Sequence, residues 1–165
     1  MPNSSTFRIR PIGRFVQSWL DAVPGLWIDP FVRDSPFKDQ MHSCNDLNPE
    51  HQATCNMDAL DYLRTFGDSS LQGVIFDPPY SPRQIAECYG HVGRKVTQKD
   101  TQARFWGAIK KEIGRVLEPN GTALTFGWNS GGCGKVNGFQ LVEVLIVAHG
   151  GWHNDTICTA ERLTD

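Results

Sequence analysis

The sequence Val-Ile-Phe-Asp-Pro-Pro-Tyr, residues 74–80, decides how the rest of the chain is interpreted. A short apolar run ends abruptly there in a carboxylate, two prolines and an aromatic ring. The apolar run predicts a buried strand, and the prolines end it because proline has no backbone N–H for the ladder. Asp77 and Tyr80 are therefore expected where a buried strand gives way to a loop, which is the ligand-binding edge of an open α/β sheet.

These residue types suit one kind of chemistry. An exocyclic amine on a nucleobase is a poor nucleophile, because its lone pair is delocalised into the ring. The Asp77 carboxylate and the Pro78 carbonyl could both accept the amine hydrogens, and Tyr80 could stack on the base. The alternative is a strand followed by a proline-stiffened turn, and four residues alone leave the two interpretations about even.

Composition narrows the class of protein. The chain has 165 residues, enough for one domain (1–165) with a substantial core. Its net charge of −2 gives no global signature of a nucleic-acid binder. Five scattered cysteines without a CxxC pair favour reduced thiols in the cytosol over a disulfide framework or a zinc site. No signal peptide or membrane-length apolar run is seen, so we expect a soluble, cytoplasmic domain with no metal and no membrane partner.

Hydrophobic periodicity predicts an alternation of helices and strands. Helices are predicted at 9–23 and 101–117, and strands at 26–28, 41–45, 71–76, 122–128, 139–148 and 155–161. A further helix start is predicted near Pro49, and another at Asp58. The order indicates an α/β fold, a mostly parallel doubly wound sheet with an antiparallel edge hairpin.

Four acids, Asp29, Asp46, Asp58 and Asp77, each follow a predicted strand or its turn. The carboxyl ends of parallel strands share one rim, so these acids are expected to converge. Asp46 is placed to accept hydrogen bonds from ribose hydroxyls, or else it caps the helix that follows. Asp58 alone would be interpreted as a helix N-cap.

The tetrapeptide Asp77–Tyr80 resembles the signature of the amino-methyltransferases, which methylate adenine N6 or cytosine N4 with S-adenosyl-L-methionine. The resemblance implies a Rossmann-like class I methyltransferase fold. The loop at 31–37 is similar to the family motif that wraps the methionine end of the cofactor. The family usually has glycines there, whereas this sequence has Arg33.

The resemblance also implies roles for particular residues. The implied catalytic residues are Asp77, Pro78, Pro79 and Tyr80. The implied cofactor-binding residues are Asp29, Pro30, Phe31, Ser35, Asp46, Leu47, Asp58, Ala59 and Asp77.

Substrate binding is expected from two other parts of the chain. Residues 81–101 form a long polar segment, interpreted as a mobile substrate loop whose Arg83, Arg94 and Lys95 contact phosphates; a solvated excursion is the alternative. Trp128 and Asn129, after a predicted strand, could line the base pocket, although Trp128 alone would favour core or lid packing.

His149 and His153 lie on a predicted turn without a third metal ligand nearby, and are interpreted as structural or exposed.

The resemblance implies methylation of adenine N6 in DNA, since an initial Asp leans towards adenine in the family. Alternatives are an N4-cytosine or RNA methyltransferase of the same fold, an enzyme acting on a protein glutamine, or a catalytically silent partner subunit that binds nucleic acid. No separate target-recognition domain is evident, which suits a small phage or prophage enzyme. Recognition would then come from the 81–101 loop, a second copy or a partner subunit.

Overall fold

A six-stranded sheet is the centre of the molecule, and its strands lie in the order β2-β1-β3-β4-β6-β5. The computed structural model describes residues 6–79, 103–150 and 154–164. The strands are β1 Trp27–Asp29, β2 Ser43–Cys44, β3 Leu71–Phe76, β4 Leu117–Gly127, β5 Phe139–Val147 and β6 Thr156–Leu163. The helices are α1 Arg10–Ala22, α2 Ala59–Arg64 and α3 Ala103–Val116.

The direction of the strands confirms the predicted sheet type. β1 pairs in parallel with β2 and β3, and β3 pairs in parallel with β4. β6 is antiparallel to both β4 and β5, so the last two strands form the predicted edge hairpin. The first four strands therefore place their carboxyl ends at one edge, the rim.

Helix α1 covers one face of the sheet. Its buried side chains recur at helical spacing, and Pro11 sits in the first turn, where its missing N–H costs nothing. The α1-side core joins this helix to side chains of β3, β4 and β6: Ile12, Phe15, Val16, Trp19, Ile75, Leu124, Phe126, Cys158 and Ala160.

Helices α2 and α3 cover the opposite face, which makes the sheet doubly wound. The second core includes Tyr62, Leu63, Ile109, Ile113, Ile28, Val74 and Ala123. β3 is buried by both cores, since Val74 and Phe76 face one and Ile75 the other. This explains why residues 74–76 form an uninterrupted apolar run.

Gly73 shows how closely the strands are packed. It is paired with Trp27 across β1 and β3, and a Cβ built on Gly73 would lie 2.1 Å from the Trp27 ring. Any side chain at position 73 would displace the indole, so glycine is required there by space rather than by backbone conformation.

Two local predictions were wrong in detail. The helix expected at Pro49 is only a 3-10 turn, Pro49–His51, because Gln52 adopts a left-handed conformation directly after it. Strand β4 begins at Leu117, before its predicted start at residue 122, because Leu117 already pairs with Leu71 of β3.

Strand β5 lies at the edge of the sheet, as predicted, and most of its side chains are exposed. Between β4 and β5 the described chain has a 3-10 turn, Lys135–Asn137, and no α-helix. Several apolar side chains of this edge strand are exposed: Leu141, Val142, Val144 and Ile146. Within the described ranges, no helix combines the length and apolar character needed to cross a membrane.

Candidate active site

The rim collects acids from three neighbouring strands. Asp29 is the last residue of β1, Asp46 follows β2 by two residues, and Asp77 directly follows β3. The order in space, β2-β1-β3, places Asp29 between the other two. The predicted convergence of these three carboxylates is therefore what the fold produces.

Asp29 is the electrostatic centre of this group. Its side chain is fully buried, and Oδ1 accepts a hydrogen bond of 2.9 Å from the Phe31 N–H. Among the described residues, Oδ2 has no hydrogen-bond partner. Burial raises the pKa of Asp29 well above its ordinary value of 3.8, against the opposing effect of the Phe31 N–H.

The charges of Asp77 and Asp46 raise the pKa of Asp29 further, and Lys38 lowers it. These effects put Asp77 and Asp46 each within electrostatic range of Asp29. A ligand with positive charge would relieve their repulsion, so the arrangement favours a cationic group at the rim.

Asp46 ties the end of β2 to the loop after β1. Its Oδ2 accepts from the Arg33 N–H at 3.0 Å, and its Oδ1 accepts from the Asn48 N–H at 2.8 Å. Asn48, rather than Asp46, caps the following 3-10 turn, since Asn48 Oδ1 accepts from the Glu50 N–H. The capping alternative for Asp46 is therefore wrong. Each oxygen of Asp46 keeps a second lone pair that could accept from a ribose hydroxyl. The ribose role of Asp46 stays a prediction.

Arg33 has a backbone conformation that favours glycine. Its φ of 44° lies in the left-handed region, which residues with a Cβ adopt only at a cost. The Arg33 N–H points to Asp46 as a result. The loop after β1 therefore combines a left-handed residue with a backbone bond to Asp46, although it contains no glycine.

Other residues of the loop after β1 fix its conformation by burial, ring packing and a hydrogen bond within the loop. Pro30 is buried, and the Phe31 ring packs against Phe76 and Trp106 at centroid distances of 5.8 and 6.2 Å. Ser35 is 8% exposed, and its Oγ accepts from the Phe37 N–H at 3.2 Å. The implied cofactor contacts of these residues stay predictions.

Asp58 is the N-cap of α2, as its sequence position predicted. Its Oδ1 accepts from the Leu60 N–H at 2.9 Å. Ala59 is buried behind it in the core, and Leu47 is half-buried. A role of Asp58, Ala59 or Leu47 in cofactor binding stays a prediction.

Asn45 is the residue that sequence reasoning missed. It is 1% exposed, its Nδ2 donates to the carbonyls of Pro30 and Met57 at 3.2 and 3.0 Å, and its Oδ1 accepts from the Met57 N–H at 3.1 Å. One amide therefore joins the loop after β1 to the segment before Asp58. The available signal was an amide at a buried strand end, directly before an acid.

Asp77, Pro78 and Pro79 follow β3 at the rim, as predicted. Tyr80, Arg83, Arg94 and Lys95, with the whole 81–101 segment, lie outside the described residues.

Asp77 also acts electrostatically on β6. Burial, with a further contribution from the Asp77 charge, raises the pKa of the Cys158 thiol to about 12. The carboxylate therefore lies within electrostatic range of a second strand as well as of Asp29.

The loop after β4 begins with Trp128 and Asn129 and is held firmly. Trp128 is 46% exposed and therefore not a core residue, whereas the Asn129 side chain accepts from the Gly131 N–H at 2.9 Å. Glu161, 3% exposed on β6, accepts from the N–H groups of Cys133 and Gly134 at 2.6 and 3.0 Å. A contact of Trp128 or Asn129 with substrate stays a prediction. In the described ranges, no group of three or more His, Cys, Asp or Glu side chains could hold a metal ion.

Comparisons with known proteins bear on the fold. No family model matches the chain, and no curated protein matches it in sequence. Solved structures do resemble it. The 1,6-didemethyltoxoflavin-N1-methyltransferase of Burkholderia thailandensis, with bound 1,6-didemethyltoxoflavin and S-adenosylhomocysteine, has a TM-score of 0.64 at 14% identity, over 99% of this chain and 80% of that one.

Two further structures give the same result. The N-methyltransferase NodS of Bradyrhizobium japonicum WM9 has a TM-score of 0.63 at 8% identity, over 96% of this chain and 97% of that one. TrmN of Thermus thermophilus has a TM-score of 0.58 at 14% identity, over 97% of this chain and 53% of that one. At these identities the likeness concerns fold alone. Together with the strand order and the antiparallel edge pair, it shows that the chain has the Rossmann-like fold of class I methyltransferases.

Proposed function

We propose that the chain transfers a methyl group from S-adenosyl-L-methionine to the exocyclic amine of a nucleobase, and that this amine is adenine N6 in DNA. One observation carries the proposal. The sequence Asp77-Pro78-Pro79 stands at the carboxyl end of β3 in a class I methyltransferase fold, within electrostatic range of the buried Asp29. Structural neighbours described as N-methyltransferases support the reaction class.

The residues of the rim fit the cofactor. S-adenosyl-L-methionine carries a sulfonium and an ammonium, and Asp29 offers a buried carboxylate oxygen with no partner in the described chain. Asp46 would accept from the ribose hydroxyls with its remaining lone pairs. The left-handed Arg33 gives the loop after β1 a backbone conformation that favours glycine, and its N–H ties the loop to Asp46. When bound, the cofactor would supply an electrophilic methyl group: its S–CH3 bond would break as the N–CH3 bond forms, S-adenosylhomocysteine would leave, and the methylated nitrogen would lose one proton to water.

Asp77 acts on the other reactant. Its carboxylate, with the Pro78 carbonyl, accepts the two hydrogens of the amine and draws the nitrogen towards a tetrahedral arrangement, which makes the lone pair available. Tyr80 stacks on the base, which must leave the DNA stack to reach the rim. Most of the rate enhancement then comes from positioning and electrostatics, and no covalent enzyme intermediate is needed.

The silent-subunit alternative is weakened by one observation. Its basis in the sequence was Arg33, whose side chain suggested a damaged cofactor loop. The backbone at Arg33 is left-handed and its N–H is bonded to Asp46, so the loop has an ordered connection to β2 despite the substitution.

The test compares two aspartates. The wild type, Asp77→Ala and Asp61→Ala are assayed for transfer of tritiated methyl from S-adenosyl-L-methionine to DNA and to RNA. Asp61 is an exposed residue of α2 paired with Arg64, and therefore serves as the matched control. We expect Asp77→Ala to lose transfer by at least about a hundredfold, consistent with the loss of transition-state contacts, while S-adenosylhomocysteine binds nearly as tightly in calorimetry. Activity that survives in Asp77→Ala would show that the assigned role is wrong.

A further inference from the structure

The antiparallel strand β6 brings a second part of the chain to the catalytic rim. Phe76 of β3 pairs with Thr125, and the next residue of β4, Phe126, pairs with Cys158 of β6. Asp77 follows Phe76, so it stands level with Cys158, two strands away. The chain before Cys158 continues outward, and Thr156 therefore lies at the outer margin of the rim.

Asp77 and Thr156 also belong to the same side of the sheet. Side chains alternate along a strand, and Ile75 and Cys158 both face the α1-side core. Asp77 is two residues after Ile75, and Thr156 is two residues before Cys158. Both therefore lie nearer the rim and on the same side of the sheet as those two residues. The electrostatic effect of Asp77 on Cys158 agrees with this placement.

His149 is fixed to this margin by its ring. Its Nε2 lies 2.7 Å from Thr156 Oγ1, and Thr156 is only 8% exposed. The His149 N–H donates to Asp155 Oδ1 at 3.3 Å. The imidazole is half-buried, and its Nδ1 has no hydrogen-bond partner among the described residues. A threonine hydroxyl that donates to Nε2 leaves Nδ1 protonated and able to donate outward.

The distance decides what His149 could contact. Two strand spacings of about 4.8 Å separate β3 from β6, and Thr156 lies two residues, about 7 Å, beyond the level of Asp77. Thr156, to which His149 is bonded, therefore lies about 12 Å from Asp77. That is too far for a contact with an amine held at Asp77, but it is within reach of the sugar-phosphate chain that carries the base or of its neighbouring nucleotide.

We propose that His149 belongs to the substrate-binding surface and donates a hydrogen bond from Nδ1 to a phosphate oxygen of the methylated strand. The inference rests on the proposed function and extends it to a residue outside the amino-methyltransferase signature. His149 is then a binding residue that holds the strand, whereas Asp77 acts on the amine. Thr156 is the positioning residue that orients the ring.

Steady-state kinetics separate these roles. In His149→Ala, KM for DNA should rise about tenfold, the expected effect of one hydrogen bond to a charged group, while kcat and the affinity for S-adenosylhomocysteine stay unchanged. His149→Phe, which keeps the ring without its nitrogens, should behave in the same way. His42→Ala is the matched control, because His42 is exposed and precedes β2 at the opposite end of the sheet. An unchanged KM for DNA in both His149 variants would overturn the proposal.

A second experiment requires only the wild type and one variant. Oligonucleotides each carry one uncharged methylphosphonate in place of a phosphate near the target base. At one position the replacement should weaken binding to the wild type several-fold and have no further effect in His149→Ala. If every position behaves alike in the two proteins, or if none weakens the wild type, the proposed contact does not exist. A wild type that binds S-adenosylhomocysteine but methylates no nucleic acid would instead refute the proposed function.

Discussion

Replacement of Arg33 by glycine should relieve backbone strain without disturbing the rim. Arg33 has a φ of 44°, and the left-handed conformation costs a residue with a Cβ roughly 1–2 kcal/mol. Glycine removes that cost but loses more conformational entropy on folding, roughly 0.5–1 kcal/mol. The proper reference is Arg33→Ala, which removes the same side chain and keeps the Cβ. We therefore expect Arg33→Gly to be more stable than Arg33→Ala by about 0.5–1 kcal/mol.

Urea unfolding followed by circular dichroism measures this difference. For a chain of this size the expected gain corresponds to about 1–4 °C in Tm. Both variants keep the backbone N–H that donates to Asp46, so S-adenosylhomocysteine affinity should change little between them. An Arg33→Ala variant as stable as Arg33→Gly, or more so, would show that the left-handed backbone is not a source of strain at this position.

Three further predictions concern buried groups. Asp29→Asn should stabilise the cofactor-free protein and weaken S-adenosylhomocysteine binding. Burial raises the pKa of Asp29 above 3.8, so ionisation of Asp29 lowers the free energy of unfolding as pH rises. The gain in free energy of unfolding from Asp29→Asn, measured in urea, should therefore be larger at pH 7 than at pH 4.5. An equal gain at both pH values would contradict this origin. Glu161→Ala should lower the free energy of unfolding by about 2–5 kcal/mol, because two backbone N–H groups lose their acceptor; a loss below about 1 kcal/mol would mean that water replaces the carboxylate. Gly73→Ala should cost about 1–3 kcal/mol through its clash with Trp27, whereas Gly107→Ala, with open space around it, should cost nothing, and similar Tm values for the two would refute the steric argument.

The fold was predictable because its signals are local and consistent. The apolar run at 74–76 is buried on both sides by two cores, and the amphipathic period of α1 matches the single face that it covers. The mostly parallel sheet and its antiparallel edge hairpin followed from the alternation of helices and strands and from the two late strands. Boundaries were less accurate where a tertiary contact decided them, as at Leu117, which pairs with Leu71 in place of continuing a helical turn.

The site was predictable only in part, again because contacts between distant segments decide its details. Strand-end acids can be found in a sequence, and Asp29, Asp46 and Asp77 do share the rim. Which groups each carboxylate bonds depends on distant segments, and Asn45 was missed because its partners Pro30 and Met57 lie 15 and 12 residues away in sequence. His149 was interpreted as structural or exposed; its bond to Thr156 confirms a structural contact, but only the antiparallel register of β6 brings it to the rim.

The product of the reaction tests the central claim most directly. Purified protein is incubated with S-adenosyl-L-methionine and unmethylated DNA, the DNA is digested to nucleosides, and the methylated nucleoside is identified by mass spectrometry. We predict N6-methyldeoxyadenosine from the wild type and none from Asp77→Ala. N4-methyldeoxycytidine, or a methylated ribonucleoside from RNA alone, would contradict the assignment of the base or of the nucleic acid. No methylated nucleoside from either, with S-adenosylhomocysteine bound in calorimetry, would contradict the claim that Asp77 acts on a nucleobase amine.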